Sequence, residues 1–235
     1  MTTTIGMLLY PGLTQLDLTG PYEVLQRVPG ARVELVWKNL DVVRADSGLG
    51  LSPTATFADC PALDVIMVPG GVGQVPLMSD PVVLDFLRER AETARYVTSV
   101  CTGALVLGAA GLLRGYRAAT HWAYVDFLPA FGAVPDGARV VVDRNRVTGG
   151  GVTAGLDFAL VLAAEIAGEA TAKTIELSLE YDPAPPYRCG HPRVAPPELV
   201  TAAKAALAAS LSERGVRVEE AAKTLESSTR ASAPI

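Results

Sequence analysis

The chain is poor in the residues that build metal sites and disulfide frameworks. It has only two histidines and three cysteines among 235 residues. The cysteines, at positions 60, 101 and 189, are scattered and form no Cys-x-x-Cys pair. This pattern excludes a disulfide framework and favours free thiols in a reducing compartment. With so few histidines, we expect no multi-histidine metal site.

The chain also lacks the charge pattern of a nucleic-acid-binding protein and the segments of a membrane protein. Lys and Arg number 20 against 25 Asp and Glu, a net charge of −5 without a basic cluster. The N-terminus has no basic region ahead of an apolar run. Of the two most apolar segments, 103–113 is too short to cross a bilayer and 151–168 carries Asp157 and Glu165. We therefore expect a soluble, cytoplasmic protein that binds neither nucleic acid nor membrane.

Aromatic residues make up only 6% of the chain, although 49% of the residues are hydrophobic. Ala, Val and Leu must therefore fill the core, and a chain of this length can bury a large one. The 22 glycines and 17 prolines predict many tight turns, which is not typical of a helical bundle.

Short apolar strands alternate with helices along the sequence. Strands are predicted at 5–10, 32–37, 64–68 and 96–100, with hairpins at 42–53 and 140–148. Helices are predicted from about 17–21 to 27 and over 81–93, 104–110, 123–131, 153–167, 171–179 and 198–211, with a Pro-rich loop at 183–197 and a weakly helical tail after 212. This alternation predicts an α/β fold with a mostly parallel sheet and helices on both faces.

Three polar features follow predicted strands. Asp17 comes after the first strand, Gly70 and Gly71 come after Val68, and Cys101 comes directly after Val100. Ligands of open parallel sheets bind beyond the carboxyl ends of the strands. The coincidence of these features at one sheet edge is the first indication of a functional site.

Cys101 has the strongest local signal. The segment around it predicts a strand, a sharp turn and a helix, and Ser99, Thr102 and Gly103 are small enough for a nucleophile elbow. At a helix N-terminus the dipole and free N–H groups stabilise a thiolate. The alternative is a buried, inert cysteine.

The other candidates each have two interpretations. Asp17 between two leucines predicts a desolvated carboxyl with a raised pKa, suited to proton donation, but Asp17 or Thr19 also fits a helix N-cap with Pro21 in the first turn. Backbone N–H groups of Gly70 and Gly71 suit an oxyanion hole or a plain turn. Thr102 either hydrogen-bonds within the site or caps the helix.

The two histidines and a glycine-rich segment are the remaining candidates for functional residues. His121 either forms a Cys–His dyad with Cys101 or starts a helix with its ring satisfied by the backbone. His191 has no assigned role. The segment 149–154 matches a dinucleotide-binding pattern but follows a hairpin late in the chain, so we do not expect nucleotide binding.

Together these residues resemble the PfpI-like, class I glutamine-amidotransferase-like superfamily over residues 3–185, and within it the isocyanide hydratase family. The segments that carry the resemblance are QLDLTGP at 15–21, FADCP at 57–61, VPGG at 68–71, ARYVTSVCTG at 94–103, THWAY at 120–124 and TGGG at 148–151. The elbow and the Gly-Gly turn mark the superfamily, whereas the segments at Asp17, Cys101 and His121 are more specific.

The resemblance implies a flavodoxin-like three-layer sandwich in residues 1–195, a homodimer, and a helical extension in 196–235 packed at the dimer. It implies Cys101 as the nucleophile, Asp17 as the acid and Thr102 as a supporting hydroxyl. Gly70, Gly71, His121 and Trp122 are expected to face the oxyanion or the substrate, with His121 not needed as acid or base.

The implied reaction adds water to a small uncharged isocyanide through a thioimidate on Cys101, releases an N-substituted formamide, and uses no metal or organic cofactor. A glyoxalase-like, deglycase-like or amidase-like enzyme using the same cysteine stays open, as does a redox sensor. Related domains also precede DNA-binding modules, but few residues remain after 183 and no basic recognition helix is visible.

Overall fold

A computed structural model describes residues 2–231 of the chain as alternating strands and helices. The strands are β1 (Thr3–Leu8), β2 (Ala31–Trp37), β3 (Val43–Arg44), β4 (Gly50–Leu51), β5 (Ala55–Thr56), β6 (Val65–Val68), β7 (Tyr96–Val100), β8 (Arg117–Ala118), β9 (Val134–Pro135), β10 (Val140–Asp143) and β11 (Arg146–Gly149). The helices are α1 (Gln15–Leu25), α2 (Gln74–Leu77), α3 (Pro81–Ala91), α4 (Gly103–Ala109), a 3-10 helix (Trp122–Phe131), α5 (Ala154–Ala167), α6 (Glu169–Ser178) and α7 (Pro197–Ala231).

A seven-stranded sheet forms the centre in the order β10-β11-β7-β6-β1-β2-β5. All neighbours pair in parallel except the hairpin β10–β11. The central strands β6 and β7 are buried along their whole length, as continuous apolar runs in a doubly covered sheet require. The sequence prediction of a mostly parallel α/β sheet is confirmed.

The helices form two groups around the sheet. Helix α5 packs against α1 and α6, whereas α4 packs against α2, α3, the 3-10 helix and α7. Among the described residues, no helix combines the length and the apolar character needed to cross a bilayer.

Most predicted elements are present, with ends shifted by a few residues. The short strands β5, β8 and β9 were not predicted because two residues are too few to show a hydrophobic period. The helix expected at 123–131 is a 3-10 helix, and the Nδ1 atom of His121 accepts the Ala123 N–H at its start, at 3.3 Å.

The start of α1 corrects two expectations. The N-cap is Thr14, so neither Asp17 nor Thr19 caps the helix; Thr19 Oγ1 instead donates to Gln15 Oε1 at 2.7 Å. Asp17 lies in the first turn with its side chain fully buried, and Pro21 lies in the helix interior rather than in the first turn. The cap interpretation was wrong because the helix begins two residues before Asp17.

The C-terminal segment is one 35-residue helix, α7, so the helix predicted at 198–211 continues without a break through the tail that was predicted to be weakly helical. The polar sequence after 212 is helical because its sparse apolar residues are buried against the same chain. Val218, Ala221 and Leu225 are all buried, and Leu225 lies against Gly111. Tertiary packing here overrides a weak local propensity.

Gly103 marks the closest approach of α4 to the sheet. A Cβ atom at Gly103 would lie 2.1 Å from the Val68 carbonyl oxygen, whereas one at Gly20 would meet nothing nearer than 3.6 Å. We therefore expect Gly103→Ala to lower the free energy of unfolding by about 2 kcal/mol or more, because the backbone must shift.

Gly20→Ala is the matched control, since it also places a methyl group on a buried helix and should be neutral or stabilising by about 0.5–1 kcal/mol. Urea unfolding of both variants measures the difference. Equal stability of the two variants would contradict the close approach of α4 to β6.

Candidate active site

Cys101 lies at the sharp turn between β7 and α4. Its φ is 55°, a left-handed backbone conformation that is uncommon for a residue with a side chain. The Cys101 N–H donates to the Gly150 carbonyl at 2.8 Å, and Thr120 Oγ1 donates to the Cys101 carbonyl at 2.7 Å. These bonds hold the strained turn, as the nucleophile-elbow prediction requires.

Opposing effects act on the pKa of the buried Cys101 thiol. Burial and then the charge of Asp17 raise its pKa well above the ordinary value, while the backbone N–H groups of Thr102 and Val152 bond to the sulfur and oppose that rise. Burial and Asp17 outweigh the two amides. Loss of solvent therefore opposes the thiolate that the helix N-terminus was expected to stabilise.

Asp17 is the buried carboxyl beside this thiol. Its Oδ2 accepts the Gly70 N–H at 2.9 Å, and its Oδ1 is buried without a hydrogen-bond partner in the structure. Burial raises the pKa of Asp17 to about 7, against the opposing effects of the Gly70 N–H and the Cys101 thiol. Asp17 can therefore both accept and donate a proton near neutral pH.

The turn after β6 positions Asp17. Tyr10 Oη donates to the Pro69 carbonyl at 2.8 Å, and the N–H of the same peptide unit is the Gly70 group that reaches Asp17. A Cβ atom at Gly70 would lie 2.7 Å from Asp17 Oδ2 and 2.8 Å from Cys101 Cβ. Only glycine fits between the carboxyl and the cysteine.

The glycine amides do not face an open anion site. Gly71 N–H donates to Thr102 Oγ1 at 3.1 Å, just as Gly70 N–H donates to Asp17. Both amides thus have acceptors within the chain, and the oxyanion role expected for them stays a prediction. Thr102 likewise makes no side-chain cap to α4, because its hydroxyl accepts from Gly71. The amides that reach the sulfur belong to Thr102 and Val152.

His121 lies on the opposite side of the cysteine turn. Its ring packs against Gly151, where a Cβ atom would come within 2.6 Å of Cδ2. Burial, assisted by the charge of Arg214, lowers the pKa of His121, so the ring is neutral at pH 7. With its Nδ1 accepting from Ala123, the ring matches the helix-start interpretation rather than a Cys–His dyad.

A cavity of about 870 Å³ adjoins the cysteine turn. His121 and Trp122 line it together with Thr120, Gly150 and Val152, which are three of the residues that bond to Cys101. Cys101 is not among the residues that line it. Of the residues expected at the site, His121 and Trp122 thus face open space, whereas Asp17, Gly70 and Thr102 lie close to the buried thiol.

Several contacts at this site had no signal in the sequence. The Val152 amide contributes only backbone, and the bond of Tyr10 depends on how β1 and β6 pair. Cys60 is buried and Cys189 half-buried at other positions. Within residues 2–231, no three His, Cys, Asp or Glu side chains are grouped closely enough to hold a metal ion.

The chain resembles known proteins over most of its length. The DJ-1/PfpI family matches residues 3–165. An isonitrile hydratase from Pseudomonas putida is 57% identical over 225 residues, which is 96% of this chain and 99% of that protein. The transcriptional regulator GbdR of Pseudomonas aeruginosa is 35% identical over 168 residues, covering 68% of this chain but only 45% of the regulator.

Solved structures agree with this assignment. The crystal structure of a ThiJ/PfpI family protein from Pseudomonas syringae superposes with a TM-score of 0.89 at 46% identity, covering 94% of this chain and 91% of that one. A DJ-1 superfamily protein from Salmonella typhimurium, solved with one cysteine replaced by alanine, gives a TM-score of 0.71 at 25% identity and covers 78% of this chain and 100% of that one. The elbow at Cys101, the parallel sheet and these matches together show that the chain belongs to the DJ-1/PfpI family.

Proposed function

We propose that this protein is an isonitrile hydratase, which adds water to an isocyanide and releases an N-substituted formamide. The observation that carries the proposal is the 57% identity to an isonitrile hydratase over nearly the whole of both chains. The buried pair of Cys101 and Asp17 supplies a nucleophile and one acid–base group, which is what this reaction needs.

The first step forms a covalent adduct. Asp17, ionised above about pH 7, takes the proton of the Cys101 thiol as the sulfur attacks the terminal carbon of R–N≡C. That carbon becomes carbanion-like, and Asp17 returns the proton to it. The product is the thioimidate R–N=CH–S–Cys101, in which the thiol hydrogen has moved to carbon. The Thr102 and Val152 amides stabilise negative charge on the sulfur during the transfer.

The second step hydrolyses the adduct. Asp17 takes a proton from water while the hydroxide adds to the imidate carbon, and the nitrogen receives that proton to give R–NH–CH(OH)–S–Cys101. The carbon–sulfur bond then breaks as the C=O bond forms. The hydroxyl proton returns to the sulfur through Asp17, which regenerates the thiol and releases R–NH–CHO. The cycle consumes one water and needs no metal or organic cofactor.

The other interpretations have less support. A redox sensor needs an exposed thiol with a low pKa, whereas Cys101 is buried and its pKa is raised. The match to GbdR covers less than half of that regulator, and the net charge of −5 disfavours nucleic-acid binding.

The setting of the enzyme is also part of the proposal. We propose a homodimer in the cytoplasm, with a helical extension from residue 196 beside the α/β domain of 1–195; residues 232–235 of the expected extension lie outside the described residues. Free, scattered cysteines support a reducing compartment. The family resemblance supports the dimer. The burial of Val218 and Ala221 against the same chain leaves the first half of α7, where Leu199 is exposed, available to a partner subunit.

Cys101→Ala is expected to abolish formamide production, because it removes the thiol that bonds to Asp17 and attacks the isocyanide. The measurement is chromatographic detection of the N-formamide from an aryl isocyanide. Cys189→Ala is the matched control and should retain the wild-type rate, since that thiol lies in the Pro-rich loop. A normal rate in Cys101→Ala would refute the covalent mechanism, and a wild-type protein inactive on several isocyanides would refute the function.

The pH profile tests the role of Asp17. Because the carboxylate must accept the thiol proton, kcat/KM should rise as pH increases through about 7. Asp17→Asn should lose about 100-fold or more of the rate, along with this pH step. Asp17→Glu should also be slowed, since the longer side chain displaces the carboxyl from the Gly70 N–H. A flat wild-type profile between pH 5 and pH 8 would contradict the assignment.

The raised pKa also affects stability, independently of turnover. The folded state holds the Asp17 proton up to about pH 7, whereas the unfolded state releases it near the ordinary value of 3.8. Stability from this group is therefore complete below pH 3.8 and is lost as pH rises to about 7, at a cost on the order of 4 kcal/mol.

Asp17→Asn keeps an acceptor for Gly70 but cannot ionise, so it should be more stable than wild type at pH 8. Urea unfolding of both proteins between pH 4 and pH 8 measures the effect. Parallel stability curves would show that Asp17 is not desolvated.

A further inference from the structure

Helix α7 carries an arginine on its core-facing stripe. The residues of this stripe recur every three or four positions, as on a helix that packs along one side, and are Leu211, Arg214, Val218, Ala221 and Leu225. Val218 and Ala221 are buried, and Arg214 is as deeply buried as they are, at 2% exposure. A charge thus occupies a position where an apolar side chain would pack, which is typical of a functional residue.

The Arg214 guanidinium has incomplete contacts. It lies 4.3 Å from the ring centroid of Tyr124, and Nη1 donates to Ser210 Oγ at 3.4 Å. Its Nε is buried without a hydrogen-bond partner, and among the described residues no carboxylate lies within ion-pair distance of it. A buried cation without an anion is strongly disfavoured. We therefore expect Arg214 to pair with an anionic group that is not part of the described residues.

The Arg214 guanidinium is close enough to the site to act electrostatically on its residues. Burial raises the pKa of Tyr10, and the charge of Arg214 opposes that rise, while the charges of Asp17 and Cys101 act on the same hydroxyl. Tyr124, against which Arg214 lies, also contacts the ring of His121, with 5.5 Å between the two ring centroids. The charge of Arg214 acts on His121 as well. Tyr10 and His121 belong to the two segments that flank the cysteine turn, so Arg214 lies within electrostatic reach of both sides of the site.

Arg214 also lines a cavity of about 700 Å³ that begins just after the Gly70–Gly71 turn. Val72, Val75 and Pro76 form its apolar wall. Two other charged residues of α7 line it, but Glu213 is exposed and Arg217 is paired with Glu220 at 2.9 Å. Arg214 is therefore the buried cation of this wall, and its charge is not offset by those neighbours.

We propose that Arg214 determines substrate specificity by binding a carboxylate on the substituent of the isocyanide. This inference rests on the proposed hydratase function and replaces the uncharged substrate expected from the sequence. A guanidinium binds a carboxylate through two parallel hydrogen bonds, and Nε is one of the donors that such a pair uses. Burial of the pair makes the interaction stronger than it would be in water.

The experiment compares 4-isocyanobenzoate with phenyl isocyanide, which share the reacting group and the ring and differ only in the carboxylate. Arg214→Met should reduce kcat/KM for 4-isocyanobenzoate by about 10-fold or more, mainly through KM, because a charged hydrogen-bonded pair is lost. The loss with phenyl isocyanide should be much smaller, because that substrate has no carboxylate to pair with Arg214. Arg214→Lys keeps the charge without the planar geometry, so its kcat/KM for 4-isocyanobenzoate should lie between those of the wild type and Arg214→Met.

Arg217→Met is the matched control, since Arg217 lines the same cavity from the same helix but is already paired. This variant should leave kcat/KM unchanged for both substrates. Arg214→Met should keep the melting temperature or raise it, because methionine packs in an apolar stripe without a desolvated charge. If Arg214→Met does not fold, Arg214→Lys decides the question by its selective loss on 4-isocyanobenzoate.

The outcomes separate this inference from the function on which it rests. An equal loss on both substrates, or no loss on 4-isocyanobenzoate, would overturn the role of Arg214 while leaving the hydratase function intact. A wild-type protein that hydrates neither compound would refute the function. In that case calorimetry with benzoate alone decides, since binding that Arg214→Met abolishes supports the carboxylate site and an absence of binding to the wild type overturns it.

Discussion

The hydrogen bond from the Gly70 N–H to the Asp17 carboxyl is the contact on which the site depends. It joins the end of β6 to the first turn of α1, and it holds the carboxyl against the cysteine turn that follows β7. The bond is possible because position 70 has no Cβ atom, which would lie within 2.8 Å of both the carboxyl and Cys101. Tyr10 fixes the same peptide unit from its other side.

Burial governs the chemistry of this pair more than the helix N-terminus does. In water the carboxyl would ionise near pH 3.8 and the thiol near pH 9.0, but here desolvation acts on both groups. The pKa of Asp17 moves up to about 7, and the pKa of Cys101 moves further from neutrality. In the proposed mechanism Asp17 takes the proton from the sulfur when a substrate arrives.

The C-terminal helix connects this centre to the rest of the chain. Its stripe of Val218, Ala221 and Leu225 packs beside α4, the helix that begins after the cysteine turn. The same stripe carries Arg214, whose charge acts on both Tyr10 and His121. A segment whose sequence looks polar and weakly helical thus contributes both packing and a buried charge. This arrangement gives the extension a reason to be retained beside an α/β domain that already holds the reacting pair.

The sequence by itself determined the elements and the chemistry of single residues. Apolar runs of four to six residues specify strands wherever both faces of a sheet are covered, and small residues around Cys101 specify a sharp turn. Asp17 between leucines left a helix cap and a desolvated carboxyl open, and its complete burial agrees with the second. These features are local, because they depend on periodicity and side-chain size within a few residues.

Only the tertiary structure decided how those residues act on one another. The acceptors of the Gly70 and Gly71 amides come from other parts of the chain, as does the Val152 amide that reaches the sulfur. The balance between desolvation and the helix N-terminus at Cys101, and the burial of Arg214 on α7, depend on which elements pack together. Sequence spacing cannot reveal these contacts, because electrostatic and hydrogen-bond energies are set by distance and burial rather than by order along the chain.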